Sequence, residues 1–194
     1  MSTPLCTVVV GYDFGHSSEP ALDRAVQLAG RAPEHVLHVL CAIDPKHGIP
    51  SIPAYNGIDY LYAARVQEAL AAEVHAACER SKISTRITFF VHARIGKPAE
   101  EVLQLASEVG ADLVIVGSHS VTGLERLVLG SVSERIVREA HCTVEVARQN
   151  RYPHVEQMAV TDVSPETGYK YVPPHRYEYA DHRVLLRPNE WPLV

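Results

Sequence analysis

The first 148 residues alternate between two patterns of apolar positions. Short runs that are apolar throughout, such as 5–10 and 36–43, are typical of strands covered on both faces of a parallel sheet. Longer segments with apolar residues three or four positions apart, such as 60–82, are typical of helices that bury one side. The patterns predict five strands, at 5–10, 36–43, 87–91, 111–116 and 143–147, and four helices, at 21–29, 60–82, 98–109 and from 131 onward.

This alternation of strands and helices predicts the fold class. Strands separated by helices make right-handed crossovers, which give a doubly wound α/β fold: a five-stranded parallel sheet with helices on both faces. Ligands of such sheets bind at the carboxyl ends of the strands, where the strand order reverses. The first and fourth strands both end at this edge in a glycine, Gly11 and Gly117. If these strands are neighbours, Asp13 and the loop after Gly117 flank one crevice.

The stretch from 113 to 146 carries the strongest chemical signal. An apolar strand stops at Gly117, a loop containing Gly123 follows, and Gly130-Ser131 opens a helical pattern. Because Glu134 stands three residues after Ser131, the pair predicts a capping box at the start of this helix. Loop amides together with the N–H groups and dipole of a helix start form a site for an anion.

The chain changes character near residue 149. Residues 150–194 contain six prolines and five of the nine tyrosines, without a helical pattern. We interpret 1–148 as one globular domain and 149–194 as an extended tail. The tail either packs on the domain or on a second subunit, as tyrosine-rich segments often do, or remains free. The proline-rich segment 44–57 is an irregular excursion, which is either a lid or partner surface, or an ordinary surface loop.

Composition and charge exclude several classes of protein. Apolar residues make up 46% of the chain, which is enough for a core, and the net charge of −5 comes without a basic block. Nucleic acid is therefore not expected as the main partner. No apolar run approaches the roughly 20 residues that span a bilayer. The four cysteines form no CxxC motif and the histidines no zinc pattern, which predicts a soluble cytoplasmic protein with reduced thiols and no metal site.

The sequence resembles the universal stress protein family over nearly all of residues 5–148, but not in the tail. The resemblance is carried by VVVGYD, LHVL, GKPAEEVL, ADLVIVGSHS and, most specifically, LERLVLGSVSERIVREAHCTVEVAR. It implies the fold of adenine-nucleotide alpha hydrolases, a role in stress response or signalling, and a homodimer formed through the last strand, 143–147. An edge strand with unpaired backbone groups is compatible with such pairing. The tail is placed to cross onto the second subunit.

The nucleotide-binding branch of this family carries the motif G-x2-G-x9-G-[S/T]. The matching positions here are Gly117, Ser120, Gly130 and Ser131, so that Ser120 stands where the branch has its second glycine. A serine adds a Cβ that obstructs positive φ and close approach of a phosphate, although its hydroxyl offers a donor. The resemblance thus implies ATP as ligand, with or without Mg²⁺, or no nucleotide at all if Ser120 abolishes binding.

The resemblance also implies which residues meet the nucleotide. Asp13 would lie near the adenine and ribose, Val39 would pass its backbone along the adenine, and the remaining positions would line the pocket or contact phosphates; these are Val116, Gly117, His119, Ser120, Gly130, Ser131 and Val132. Without the resemblance, the sequence indicates that Asp13 caps the following turn and that His119 is an exposed loop histidine. No residue is evidently placed as a general base, so the expectation is at most slow ATP hydrolysis.

Two functional hypotheses follow from different classes. In the first, the protein binds ATP or a related adenine nucleotide in the crevice between the first and fourth strands and signals through its contacts. In the second, it has lost nucleotide binding and serves as a dimeric interaction module whose tail contacts a partner. An enzyme using His119 is a third and weaker hypothesis. Ser120 is the residue that separates the first two.

Overall fold

The computed structural model describes residues 6–32, 34–54, 57–118, 129–149, 176–180 and 183–187. Within 6–149 it contains five strands and four helices in the predicted order. The strands are β1 (Cys6–Gly11), β2 (His35–Ile43), β3 (Thr88–Ile95), β4 (Leu113–Gly117) and β5 (Thr143–Ala147). The helices are α1 (Glu19–Arg31), α2 (Tyr60–Arg80), α3 (Pro98–Val109) and α4 (Ser131–Glu139).

All five strands are parallel and lie in the order β3-β2-β1-β4-β5. Successive residues of a strand point to opposite faces, so Val8 and Val10 of β1 pack with α1 and α2, whereas Val9 packs with α3 and α4. All three valines are fully buried. Each contributes about 1.5–3 kcal/mol relative to an exposed position. The doubly wound fold predicted from the sequence is confirmed.

The predicted boundaries agree within a few residues, except in the third strand. The sequence pattern ends that strand at Val91, but β3 continues to Ile95, which pairs with Ile43 at the end of β2. Pairing with a long neighbour extends a strand beyond its own apolar alternation. β3 is the outermost strand on its side of the sheet. Gly110 ends α3 in a left-handed conformation.

The segment after β2 is anchored to the domain. Ile49 is buried among residues of the α1 and α2 face, and the Tyr62 hydroxyl accepts a hydrogen bond from its backbone N–H at 2.6 Å. The same hydroxyl donates to the carbonyl of Ile52 at 2.8 Å. Residues 44–54 are therefore held by α2, and none of them lines the crevice described below.

The chain divides into two compact units, Met1–Gln149 and Asn150–Val194. In the second unit, Arg176–Ala180 (β6) pairs antiparallel with Arg183–Arg187 (β7). Where the tail packs stays a prediction. Among the described residues, no helix is both long enough and apolar enough to cross a membrane.

Candidate functional site

The strand order reverses between β1 and β4. From β1 the chain adds β2 and β3 on one side, and then β4 and β5 on the other. The crossovers therefore leave in opposite directions, and a crevice opens between the carboxyl ends of β1 and β4. It lies on the sheet face covered by α3 and α4. Its described lining consists of Gly11, Tyr12, Asp13, Ser18, Leu40, Ala42, Pro98, Val102, Val116, Gly117, Gly130, Val132, Ser133 and Ile136.

Asp13 lies in the crevice and also organises the turn after β1. Its Oδ1 accepts hydrogen bonds from the Gly15 backbone N–H at 3.0 Å and from the Ser18 hydroxyl at 2.7 Å. The first bond is an Asx turn, as expected from the aspartate read without the family. A carboxylate accepts with two oxygens. The structural role of Oδ1 is therefore compatible with a second role for Oδ2 toward a ligand.

The residue after Asp13 has an unusual backbone. Phe14 adopts φ of 59°, in the left-handed region, which costs a residue with a side chain about 1–2 kcal/mol. Its ring packs edge-on against Tyr12, with centroids 5.3 Å apart. The Tyr12 hydroxyl in turn donates to Glu73 of α2 at 3.0 Å. The turn that carries Asp13 is thus held in a strained conformation by packing against α2.

Gly117 is required by crowding. A Cβ built on Gly117 would lie 2.2 Å from the Ser17 carbonyl oxygen and 2.9 Å from its carbonyl carbon. The loop after β1 and the end of β4 therefore touch backbone to backbone at this point. The glycine identified from the motif has a structural cause here, in addition to any role toward a phosphate.

The loop between β4 and α4 is tied at its base. The Gly130 N–H donates to the Ser118 carbonyl at 2.9 Å. The buried Ser133 hydroxyl donates to the Gly117 carbonyl at 2.7 Å. His119 and Ser120, both predicted site residues, lie outside the described residues.

The predicted capping box is wrong. The N-cap of α4 is Gly130, with extended backbone and no side-chain cap, and Ser131 is the first helical residue. Ser131 is one position too late to cap, so its spacing to Glu134 has no capping role. The helix start nevertheless faces the crevice, because Gly130 and Val132 line it. Ser131 is exposed and is not among the lining residues.

Val39 is not among the described lining residues of the crevice. Its side chain is fully buried in the core under α1 and α2. Because side chains of a strand alternate between faces, the crevice wall from β2 is formed by Leu40 and Ala42 instead. The contact predicted for Val39 is through its backbone, and it stays a prediction.

The structure brings five of the nine predicted positions together: Asp13, Val116, Gly117, Gly130 and Val132. Sequence reasoning missed Ser18, Ser133, Leu40, Ala42 and the α3 residues Pro98 and Val102. The alternation along β2 puts Leu40 and Ala42 on one face, but which face meets the crevice depends on how the helices pack. For the two serines and for α3, the contact depends on how helices pack on the sheet, which has no local signal.

Asp13 is the one charged residue among the described lining residues. Burial, with a smaller contribution from the charge of Asp13, raises the pKa of the neighbouring Cys41 thiol to about 12. This thiol therefore stays protonated at neutral pH. Within the described part of the chain, no cluster of three or more His, Cys, Asp or Glu residues is arranged to hold a metal ion.

Comparison with known proteins agrees with the fold. The sequence profile of the universal stress protein family matches residues 6–148. The chain belongs to the universal stress protein family. A universal stress protein of Methanocaldococcus jannaschii is 32% identical over 145 residues, which cover 73% of this chain and 81% of that protein.

Solved structures of the family share the same fold. A universal stress protein crystallised in complex with cAMP is 26% identical, with a TM-score of 0.51, over 75% of this chain and 98% of the other. The protein from Archaeoglobus fulgidus in complex with dAMP is 16% identical, with a TM-score of 0.50, over 75% of this chain and all of the other. At that identity the second likeness shows the fold alone.

Proposed function

We propose that this universal stress protein binds ATP or a related adenine nucleotide in the crevice between β1 and β4. The observation that carries the proposal is the convergence of Asp13, Gly117 and the start of α4 at the point where the strand order reverses. A relative of the same family with 26% identity was crystallised with cAMP, which supports an adenine nucleotide as the class of ligand.

The chemistry of the crevice suits the parts of a nucleotide. Leu40, Ala42 and Val102 offer an apolar wall for a base. The Asp13 carboxylate offers an acceptor for ribose hydroxyls. The first amides of α4, beside Gly130 and Val132, offer donors and a positive dipole end for phosphate oxygens. Because Asp13 is the one carboxylate of the described lining, Mg²⁺ would be held mainly by phosphate oxygens and water.

The proposal is tested by asking what the purified protein carries and binds. Denaturation should release material that absorbs at the adenine band, or added ATP, AMP or cAMP should raise the melting temperature. A ligand at a hundred times its dissociation constant stabilises the folded state by about 2.7 kcal/mol. If no adenine is released and none of the three nucleotides shifts melting, with or without Mg²⁺, the protein is not a nucleotide binder.

A matched pair of variants locates the site. Asp13→Asn removes the charge but keeps an acceptor for the Gly15 N–H, and should weaken binding about tenfold or more, since hydrogen bonds to charged groups contribute about 1.5–3 kcal/mol. Asp112→Asn is the control. Asp112 directly precedes β4, at the end of the strands away from the crevice, and accepts the Thr7 backbone N–H at 2.8 Å. Equal affinities of the two variants would place the ligand elsewhere.

We also propose that the protein binds rather than turns over its nucleotide, with at most slow hydrolysis. Asp13, the carboxylate nearest the predicted ligand, already holds the Gly15 N–H and the Ser18 hydroxyl with one oxygen. Steady-state phosphate release in the presence of Mg²⁺ tests this point. Turnover at rates usual for enzymes, about 1 s⁻¹ or more, would contradict it.

A homodimer through β5 is proposed as the assembly, with the tail able to reach the second subunit. β5 is the outermost strand on its side of the sheet. At the opposite edge, the Gln67 side chain donates to the Val91 carbonyl of β3 at 3.3 Å, which occupies one acceptor of that strand. Edge strands are commonly blocked in such ways. The occupied acceptor favours β5 over β3 as the pairing edge.

Amide exchange at two protein concentrations tests the dimer. On raising the concentration through the dissociation range, amides of Thr143–Ala147 should gain protection, while those of Thr88–Ile95 should not. Sedimentation gives the mass in parallel. Gain of protection in β3 instead, or a monomer at all concentrations, would contradict the proposed interface.

The second candidate function is an interaction module without nucleotide. It is favoured by one observation, the serine at position 120 where the nucleotide-binding branch has glycine. Restoring the motif with Ser120→Gly separates the two candidates, because a gain of nucleotide binding only in this variant would show that Ser120 prevents it. We propose the cytoplasm as location, since Cys6, Cys41, Cys78 and Cys142 are all unpaired thiols.

A further inference from the structure

Three serines stand out among the described residues. Apart from the Tyr12 and Tyr62 hydroxyls and the Cys41 thiol, Ser18, Ser118 and Ser133 carry the polar side chains that are buried among these residues. Ser18 and Ser133 line the crevice, and Ser118 directly follows the lining residue Gly117 in the chain. A buried hydroxyl costs free energy unless it is hydrogen-bonded, so such groups are normally retained for a specific contact. The concentration of all three around one crevice points to a role there.

Ser133 makes the contact that spans the loop. It is the third residue of α4, and its hydroxyl donates to the Gly117 carbonyl, 16 positions earlier, at 2.7 Å. The Gly130 N–H donates to the Ser118 carbonyl at 2.9 Å beside it. These two bonds fasten the start of α4 to the end of β4.

Gly117 is itself held from the other side. The Ser17 carbonyl oxygen lies 2.2 Å from the position that a Cβ of Gly117 would occupy. The Ser18 hydroxyl, one residue on, donates to Asp13. The backbone of Gly117 therefore contacts both the turn after β1, which carries Asp13, and the hydroxyl of Ser133 in α4.

We propose that Ser133 is a positioning residue of the nucleotide site. Through Gly117 it fixes the first turn of α4, so that the N–H groups of Ser131 and Val132 are aimed at the phosphate before the ligand arrives. A hydroxyl has one proton to donate, and the proton of Ser133 is used by Gly117. Its effect on the ligand therefore passes through the backbone of α4. The inference rests on the proposed nucleotide function.

A merely structural role predicts a different result. If Ser133 only satisfies the buried carbonyl of Gly117, its loss lowers the stability of the fold and leaves nucleotide affinity unchanged. If it positions α4, affinity falls as well. The chain offers a matched control, because the Thr85 hydroxyl donates to the Gly30 carbonyl at 2.8 Å. Both residues of that bond lie outside the crevice lining.

The experiment compares Ser133→Ala with Thr85→Val in the full-length protein. Titration calorimetry with ATP and with AMP should give a three- to tenfold higher dissociation constant for Ser133→Ala, the range expected for one hydrogen bond. Thr85→Val should bind within twofold of the wild type. Wild-type affinity in Ser133→Ala would overturn the proposal, whatever its melting temperature.

A second measurement keeps the inference separate from the nucleotide function. In the ligand-free protein, the amides of Gly130 and Glu134 are hydrogen-bonded to Ser118 and Gly130. Their hydrogen exchange should be faster in Ser133→Ala than in Thr85→Val if Ser133 holds the helix start in place. If the wild type binds neither nucleotide, the proposed function fails, and this comparison still decides the role of Ser133. Equal exchange rates in the two variants would overturn it.

Discussion

At the scale of single residues, the crevice is shaped by backbone positions more than by charged side chains. Gly117 is crowded by the loop after β1, and Phe14 in that loop has a left-handed backbone conformation. Asp13, which precedes Phe14, is fixed by its hydrogen bonds to Gly15 and Ser18. A site built in this way is preorganised, because its geometry is determined before any ligand binds.

Gly117→Ala should destabilise the domain by about 1–3 kcal/mol, as overpacking in a tight place does. The added methyl group would meet the Ser17 carbonyl, which is backbone and cannot rotate away. Gly11→Ala is the control, since its added Cβ meets only the Val102 and Val116 side chains at 3.4 Å. Urea unfolding midpoints provide the measurement. A loss no larger than that of Gly11→Ala would show that the contact relaxes freely.

The strain at Phe14 predicts an inverted order of two substitutions. At φ of 59°, glycine is free of the penalty that a Cβ brings, so Phe14→Gly should be more stable than Phe14→Ala by about 1 kcal/mol. At Phe90, in strand β3, the order should reverse, because glycine in a strand costs about 0.5–1 kcal/mol relative to alanine. Chemical denaturation of the four variants tests this. The same order at both sites would exclude backbone strain at Phe14.

At the scale of elements, β2 and β3 are joined by a histidine pair on the face that α3 only partly covers. His38 Nδ1 and His92 Nε2 are 3.0 Å apart, and the Phe90 ring stacks on His38 at 5.0 Å. Burial lowers the pKa of both imidazoles, and for His92 the charges of His38 and Arg94 lower it further, against Glu108. The bond requires that one ring nitrogen donates and the other accepts, which holds for two neutral rings.

The pair predicts a loss of stability in mild acid. Because both pKa values are lower in the folded state, the unfolded chain binds more protons below its own histidine pKa of about 6.5. The contribution of the neutral pair to the free energy of unfolding is complete above about pH 6.5. It is lost as pH falls through the folded pKa values, with a slope of at most about 1.4 kcal/mol per pH unit for each histidine. Because the pair is partly exposed, the actual slope is smaller than this limit.

Urea unfolding at pH 7, 6 and 5 measures this slope. His92→Gln removes one of the two titrating rings, so the dependence between pH 7 and 5 should become flatter. Glutamine retains a polar group that can bond to His38. A slope identical to that of the wild type would show that the pair does not titrate in this range.

At the scale of the whole molecule, two core clusters on opposite faces of one sheet account for the domain. Every buried member of both clusters lies between Val8 and Ala147. The family profile ends at residue 148, and the solved relative with cAMP is matched over 98% of its length by 75% of this chain. Residues 150–194 follow the part of the chain that the family profile matches.

A fragment of residues 1–149 should therefore fold cooperatively. Both clusters stay intact, so thermal unfolding followed by circular dichroism should show a single transition. The mass of the fragment in solution then tests whether the tail contributes to dimerisation. A dimer with the dissociation constant of the full chain would mean that residues 150–194 do not stabilise it. A fragment without a cooperative transition would contradict the independence of the domain.

Several features of the fold could be predicted because their signals are local. Each of these signals depends on one segment of the chain alone. They are the apolar runs of β1 and β4, the helical period of α2 and the glycine after α3. The order of strands and helices then restricts the crossovers. The same reasoning placed Asp13, Gly117 and Gly130 at one edge. It did not predict Leu40 and Ala42, because which face of β2 meets the crevice depends on the helices that cover each side.

The sequence by itself determined the alternating architecture, the family and the sheet edge at which Asp13, Gly117 and Gly130 meet, since periodicity and glycine positions are properties of neighbouring residues. Only the tertiary structure decided that Gly130 rather than Ser131 caps α4, that β2 presents Leu40 and Ala42, and that Ser133 fastens Gly117. Those facts depend on contacts between residues far apart in the chain, such as the 16 positions from Ser133 to Gly117. Only packing brings such residues within hydrogen-bonding distance.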